Sequence, residues 1–274
     1  MITFKNRRKW GLSITAILAV SFAILMLSYT VMLENTAFLS GWVLFTLMIL
    51  LTLYNVRKKL TYPPLFKSAS WMQFHIYAGI LSFIVYFFHT GGRIPTGSFE
   101  SIIYVMFIIL AGSGFVGLYI TRTVPKSLSH RGNEVIYERI PRFVRELREQ
   151  AEALVVESVG YNDSIILSDY YRDKLADYMA KPRRFGLHVF MVDRTRQEFQ
   201  REIRALQRYM NDDERAVSEK LCDVLVLKDD LDFHYGRQGM LKGWLFLHVP
   251  LTYGLLIFAF AHMVLVHAFF GGLS

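Results

Sequence analysis

Residues 71–90, WMQFHIYAGILSFIVYFFHT, and residues 243–270, GWLFLHVPLTYGLLIFAFAHMVLVHAFF, decide how this chain folds. Both runs lack Asp, Glu, Lys and Arg, and both reach the roughly 20 helical residues that cross a hydrocarbon layer about 30 Å thick. Lipid offers the backbone no hydrogen-bond partners, so each run must be a helix. Each also carries two histidines at one interval, fourteen positions: His75 and His89 in the first, His248 and His262 in the second.

Three further runs share the apolar character, so the expected spans are about 11–33, 38–56, 71–91, 101–121 and 243–270. The basic stretch before the first span resembles a signal-peptide start, but the apolar run is longer than the roughly 7–15 residues of such peptides. The whole chain is 53% hydrophobic yet 20% charged. That mixture excludes a wholly soluble domain and a pure membrane bundle, and requires separate apolar and polar parts. The expected fold is an all-α membrane protein, a five-helix transmembrane bundle with a mainly helical cytoplasmic insert between helices four and five. Residues 1–122 hold the first four spans, 123–242 the insert and 243–274 the fifth span.

The net charge is +8, but Lys5, Arg7, Arg8 and Lys9, then Arg57, Lys58, Lys59 and Lys67, group at helix ends, whereas 34–39 and 90–100 are nearly free of Lys and Arg. This distribution orients helices in a membrane; it does not make a phosphate-binding face, so nucleic acid is not an expected partner. It places the N-terminus in the cytoplasm and the C-terminus outside, as an integral protein of a bacterial inner membrane in contact with lipid. With that parity, helices three and five run in the same direction.

In the insert, Ile140, Phe143, Val144, Leu147, Ala151, Leu154 and Val155 have helical spacing, as do Phe199, Ile203 and Leu206, and then Val217, Leu221, Val224, Leu225 and Leu231. Pro182 and Gly186 mark a break, and the run 187–192 reads as a short strand. His130, His188 and His234 read as surface residues.

An ionisable side chain inside an apolar span marks a functional site by default. Fourteen helical steps return to within roughly 40° of the starting face and climb about 21 Å. Each helix therefore presents two imidazoles on one face, one toward each membrane surface. Parallel helices pair His75 with His248 at the cytoplasmic side and His89 with His262 at the outer side. A facing imidazole pair is the axial ligand set of a six-coordinate haem. Gly79 and Gly254 leave room beside these ligands, and Arg93, with Lys242 or Arg237, suits haem propionates. His267, five residues beyond His262 and turned roughly 140° from that face, is an alternative ligand for the outer haem. Cys222 is the single cysteine, which excludes a thiolate-held cluster and covalent c-type attachment, leaving two non-covalent b-type haems.

At these residues the chain resembles the ferric-reductase-like transmembrane cytochromes, which include NADPH oxidases and metalloreductases, with similar ligand logic in the cytochrome b of quinol–cytochrome c reductases. The resemblance covers the helical part, about 1–122 and 243–270, and rests on the twice-repeated histidine interval. It implies transmembrane electron transfer. Members of the first group carry FAD and NADPH domains after the last span, whereas here helix five closes the chain and Gly236, Gly239 and Gly243 lack the dinucleotide-binding spacing. The expected role is therefore a membrane subunit, joining a cytoplasmic iron–sulfur or flavin subunit that docks on the insert to a periplasmic c-type cytochrome. The alternative is a quinol-oxidising or quinone-reducing subunit, with Tyr77, Tyr86 or His267 beside a quinone. A scaffold or sensor using the histidines structurally is the reading from a different class.

Overall fold

The computed structural model describes residues 4–32, 36–59, 68–129, 131, 135–162, 165–182 and 185–270. The described residues are helical with no strand. In chain order the helices are α1 (Phe4–Val31), α2 (Thr36–Lys59), α3 (Ser68–Thr90), α4 (Ser98–Ser129), α5 (Ile140–Asn162), α6 (Ile166–Tyr170), α7 (Ala176–Ala180), α8 (Phe185–Leu206) and α9 (Asp212–Phe270). Segments of α1 to α4 and of α9 are long and apolar enough to cross a membrane. Between 6% and 22% of each such window is buried within the chain. The remaining apolar surface is stable only against hydrocarbon, so the fold is an all-α membrane bundle.

Two compact units make up the chain: residues 1–118 with 245–274, and residues 119–244. In the first, Phe22, Met26, Leu44, Met48, Val85, Tyr86, Phe107 and Leu255 form one core drawn from α1, α2, α3, α4 and α9. Helix α1 packs against α3 at a glycine, Gly11. A Cβ at Gly11 would lie 2.3 Å from the Tyr77 ring, and the Tyr77 hydroxyl donates to the Arg8 carbonyl at 3.1 Å. Helix α3 stops at a Schellman turn: Gly91 and Gly92 adopt φ of 57° and 70°, and their amides donate to the carbonyls of Phe88 and Phe87. That stop leaves His89 in the last helical turn.

In the second unit, Leu167, Leu175, Met179, Ile203, Leu221 and Leu225 are fully buried, and the three amphipathic faces expected from the sequence supply much of this core. Asn211 and Glu214 cap α9 reciprocally, each side chain accepting from the other's backbone amide at 2.8 and 3.0 Å. Residues 187–192 lie within α8 and are not a strand. A lone strand would have no ladder partner here, while a helix satisfies its own backbone. The fifth apolar run is the C-terminal part of α9, which begins at Asp212 and continues through Gly236, Gly239, Gly243 and Pro250.

His234 is not on the surface: it is 1% exposed, with Nε2 2.6 Å from the Arg131 carbonyl. His130 and the side chain of His188 lie outside the described residues. Beside His234 the core carries charge. Lys228 is fully buried, donates to Asp232 at 2.6 Å and to the Lys181 carbonyl at 3.2 Å, and lies over the Tyr178 ring. Asp229 receives Arg131 at 2.8 Å.

Removing one member of a buried ion pair typically costs about 3–5 kcal/mol, because the other charge loses its partner in a low-dielectric site. Asp232→Ala should therefore lower the unfolding midpoint of the full chain in detergent, followed by circular dichroism, more than Asp212→Ala at the exposed start of α9. Equal midpoints for the two variants would contradict this reading of the buried pair.

Candidate functional site: two histidine pairs on α3 and α9

Helix α3 carries His75 and His89, and α9 carries His248 and His262. The structure brings His75 and His248 together, with ring centroids 6.4 Å apart and ring planes at 70°. His89 and His262 line one cavity of about 490 Å³. Lower number meets lower and higher meets higher, so α3 and the end of α9 are parallel. The cavity lies in the roughly 300–1,000 Å³ range of cofactor sites. Its wall also includes Trp42, Tyr104, Phe107, Arg93, Glu100 and His267.

The second nitrogen of each ring decides what the first can do. His75 Nδ1 lies 3.2 Å from the Leu51 carbonyl, and His89 Nδ1 lies 3.1 Å from the Ala37 carbonyl and 3.1 Å from Ser40 Oγ. A carbonyl oxygen can only accept, so both Nδ1 atoms carry the proton. His248 Nδ1 lies 2.7 Å from Ser113 Oγ, and that hydroxyl donates to the Leu110 carbonyl at 2.7 Å. With its proton on the Leu110 carbonyl, Ser113 Oγ is an acceptor for a proton on His248 Nδ1. In His75 and His89 the tautomer is fixed with the lone pair on Nε2, the arrangement that second-shell acceptors impose on metal-binding imidazoles, and Ser113 can fill the same role for His248.

These residues fit a haem. Two iron–nitrogen bonds of about 2 Å on opposite sides of one metal set imidazole centroids roughly 6 Å apart, close to the 6.4 Å of His75 and His248. Among the described residues no cluster of three or more His, Cys, Asp and Glu converges as a metal site. A haem asks the protein for two donors only, since the porphyrin brings four.

The small residues divide. A Cβ at Gly79 would meet nothing within 4 Å, and one at Gly254 would meet only the flexible end of Met106, at 3.1 Å. Gly41 escaped the sequence reading: a Cβ there would lie 3.1 Å from His89 Cε1, so this glycine admits the ring against α2. Arg93 lines the cavity. Lys242 instead pairs with Glu138 and covers the Tyr137 ring, and Arg237 lies over Phe233 at 5.3 Å. His267 also reaches the cavity. Its Nδ1 contacts the Met263 carbonyl at 2.8 Å, and its ring sits 4.7 Å from Phe38 and 5.5 Å from Trp42. Tyr86 stacks on Phe107 at 3.7 Å, and His262 stacks with Phe99 at 6.3 Å. Ser40 and Ser113, the hydroxyl partners, were not foreseen; a lone serine in an apolar span was their only signal.

No protein-family model, no curated protein and no solved structure matches the chain.

A branched side chain at position 41 would push His89 off its Ala37 acceptor. Gly41→Val should therefore lower the unfolding midpoint of the purified chain in detergent, read by circular dichroism, while Gly79→Ala, which meets nothing within 4 Å, leaves it unchanged or raises it.

Proposed function

We propose that this chain is a transmembrane cytochrome b that conducts electrons across a bacterial inner membrane as the membrane subunit of a redox complex. The observation that carries the reading is the pair His75 and His248, with ring centroids at 6.4 Å, a carbonyl at His75 Nδ1 and a serine hydroxyl at His248 Nδ1. His75 with His248 would hold one b-type haem and His89 with His262 the other. Bound haem supplies one-electron chemistry, with reduction potential set by its ligands and surroundings.

The protein's contribution is position. Fourteen residues on each helix separate the two pairs by about 21 Å, which divides a low-dielectric layer of about 30 Å. Two histidines per site leave no protein-designed opening for a substrate, so the reaction partners are other redox proteins. Arg93, at the cavity wall, suits a haem propionate by charge. The basic N-terminal stretch favours a cytoplasmic N-terminus, which would set the His75 side toward a cytoplasmic flavin or iron–sulfur subunit. The His89 side would then face a periplasmic c-type cytochrome.

A quinol-reactive subunit is the second reading. It is favoured by His267, whose Nδ1 also meets a carbonyl while its ring shares the outer cavity. Rapid haem reduction by a quinol alone would select this reading, and reduction only by a protein donor would select the conduit.

Purified from cells supplied with haem, the chain should show a low-spin b-type spectrum at two haems per chain. His75→Ala should remove one haem, His262→Ala the other, and the double variant both. Full haem content in His75→Ala would rule out the ligand assignment.

A further inference from the structure

Resting on the haem reading above, we propose that Ser113 is a positioning residue that sets the reduction potential of the haem between His75 and His248. It would thereby rank that haem against its partner in the other pair. Ser113 is 9% exposed, inside the apolar part of α4. Its oxygen lies 2.7 Å from both the Leu110 carbonyl and His248 Nδ1; with His248 Nε2 given to iron, Nδ1 carries the ring proton, so Ser113 accepts it and donates its own to Leu110.

The imidazole contacts are not equivalent. His75 and His89 direct Nδ1 to backbone carbonyls at 3.2 and 3.1 Å, which no side-chain substitution removes. His89 has Ser40 as an additional contact, so losing that hydroxyl leaves the Ala37 carbonyl in place. The Ser113 contact is shorter than either, and it is made by a side chain. A serine hydroxyl already donating to a carbonyl is a better acceptor, because hydrogen bonds in series polarise one another.

An acceptor on Nδ1 raises the basicity of Nε2. A more basic axial ligand favours the ferric over the ferrous state, so Ser113 lowers the potential of its haem. Replacing it should raise that potential and leave the other haem unmoved. Outer-shell substitutions change metal-site equilibria by tenfold or more, and a tenfold change for one electron corresponds to about 59 mV.

The test is a spectroscopically monitored redox titration of the purified full chain, with low-spin electron paramagnetic resonance recorded on the same samples. The variants are Ser113→Ala, Ser113→Cys, Ser113→Thr and Ser40→Ala. In Ser113→Ala one of two potentials should rise by about 59 mV and one resonance signal should move. The weaker acceptor in Ser113→Cys should give a smaller shift of the same sign, which serves if the alanine variant does not fold. Ser113→Thr, which keeps the hydroxyl, should restore the native value, and Ser40→Ala should shift the other haem by less. Two bound haems with unmoved potentials in both the alanine and cysteine variants would overturn the role of Ser113 while leaving the haem reading intact. A native protein that binds no haem would overturn both.

Discussion

An imidazole inside an apolar helix has two polar nitrogens, and hydrocarbon satisfies neither. Much of the membrane unit can be read as the solution to that constraint. The Nδ1 atoms of His75, His89 and His248 are met by carbonyl or hydroxyl oxygens on α2 and α4, at Leu51, Ala37, Ser40 and Ser113. These helices are therefore tied to the histidine helices by direction-specific contacts as well as by apolar packing. The core of Leu44, Val85, Phe107 and Leu255 holds the same four helices together. Gly41 lets α2 close on His89, and the turn at Gly91 and Gly92 ends α3 at Thr90, one residue after His89. Burial and polar satisfaction thus specify one packing of α2, α3, α4 and α9.

Helix periodicity is local, which is why the spans and the histidine faces were legible from the sequence. Fourteen positions on a 3.6-residue helix return nearly to the starting face whatever surrounds it. The charge pattern along the chain then made α3 and the last span parallel, and His75 does lie beside His248. The acceptors were not legible, because their identity depends on how α2 and α4 are rotated about their own axes. Ser113 and Ser40 look, in sequence, like the other hydroxyls that bond back to their own helix, such as Ser82 on the Ala78 carbonyl. Only the approach of a neighbouring imidazole distinguishes them.

The polar unit shows the converse. Its amphipathic faces were legible because the apolar spacing is regular, and Val144, Ala151, Ile203 and Leu221 are indeed buried. His234 read as a surface residue because it stands among charges, Lys228, Asp229, Asp230, Asp232 and Arg237. In the fold Lys228, Asp229, Asp232 and His234 are all buried. Charges cancel in pairs there, Lys228 with Asp232 one helical turn on and Arg131 with Asp229 98 positions away, and a single-residue view of hydropathy registers neither cancellation. The run 187–192 misled for a related reason: whether a short apolar run becomes strand or helix depends on whether a partner strand exists.

The central claim is that paired imidazoles on α3 and α9 hold two haem irons. Anomalous X-ray scattering at the iron edge from crystals of the purified protein tests this most directly. Two iron positions are expected, one between His75 and His248 and one between His89 and His262, about 21 Å apart. Diffraction in which the four histidines bond only to protein or water, with iron at neither pair, would contradict it.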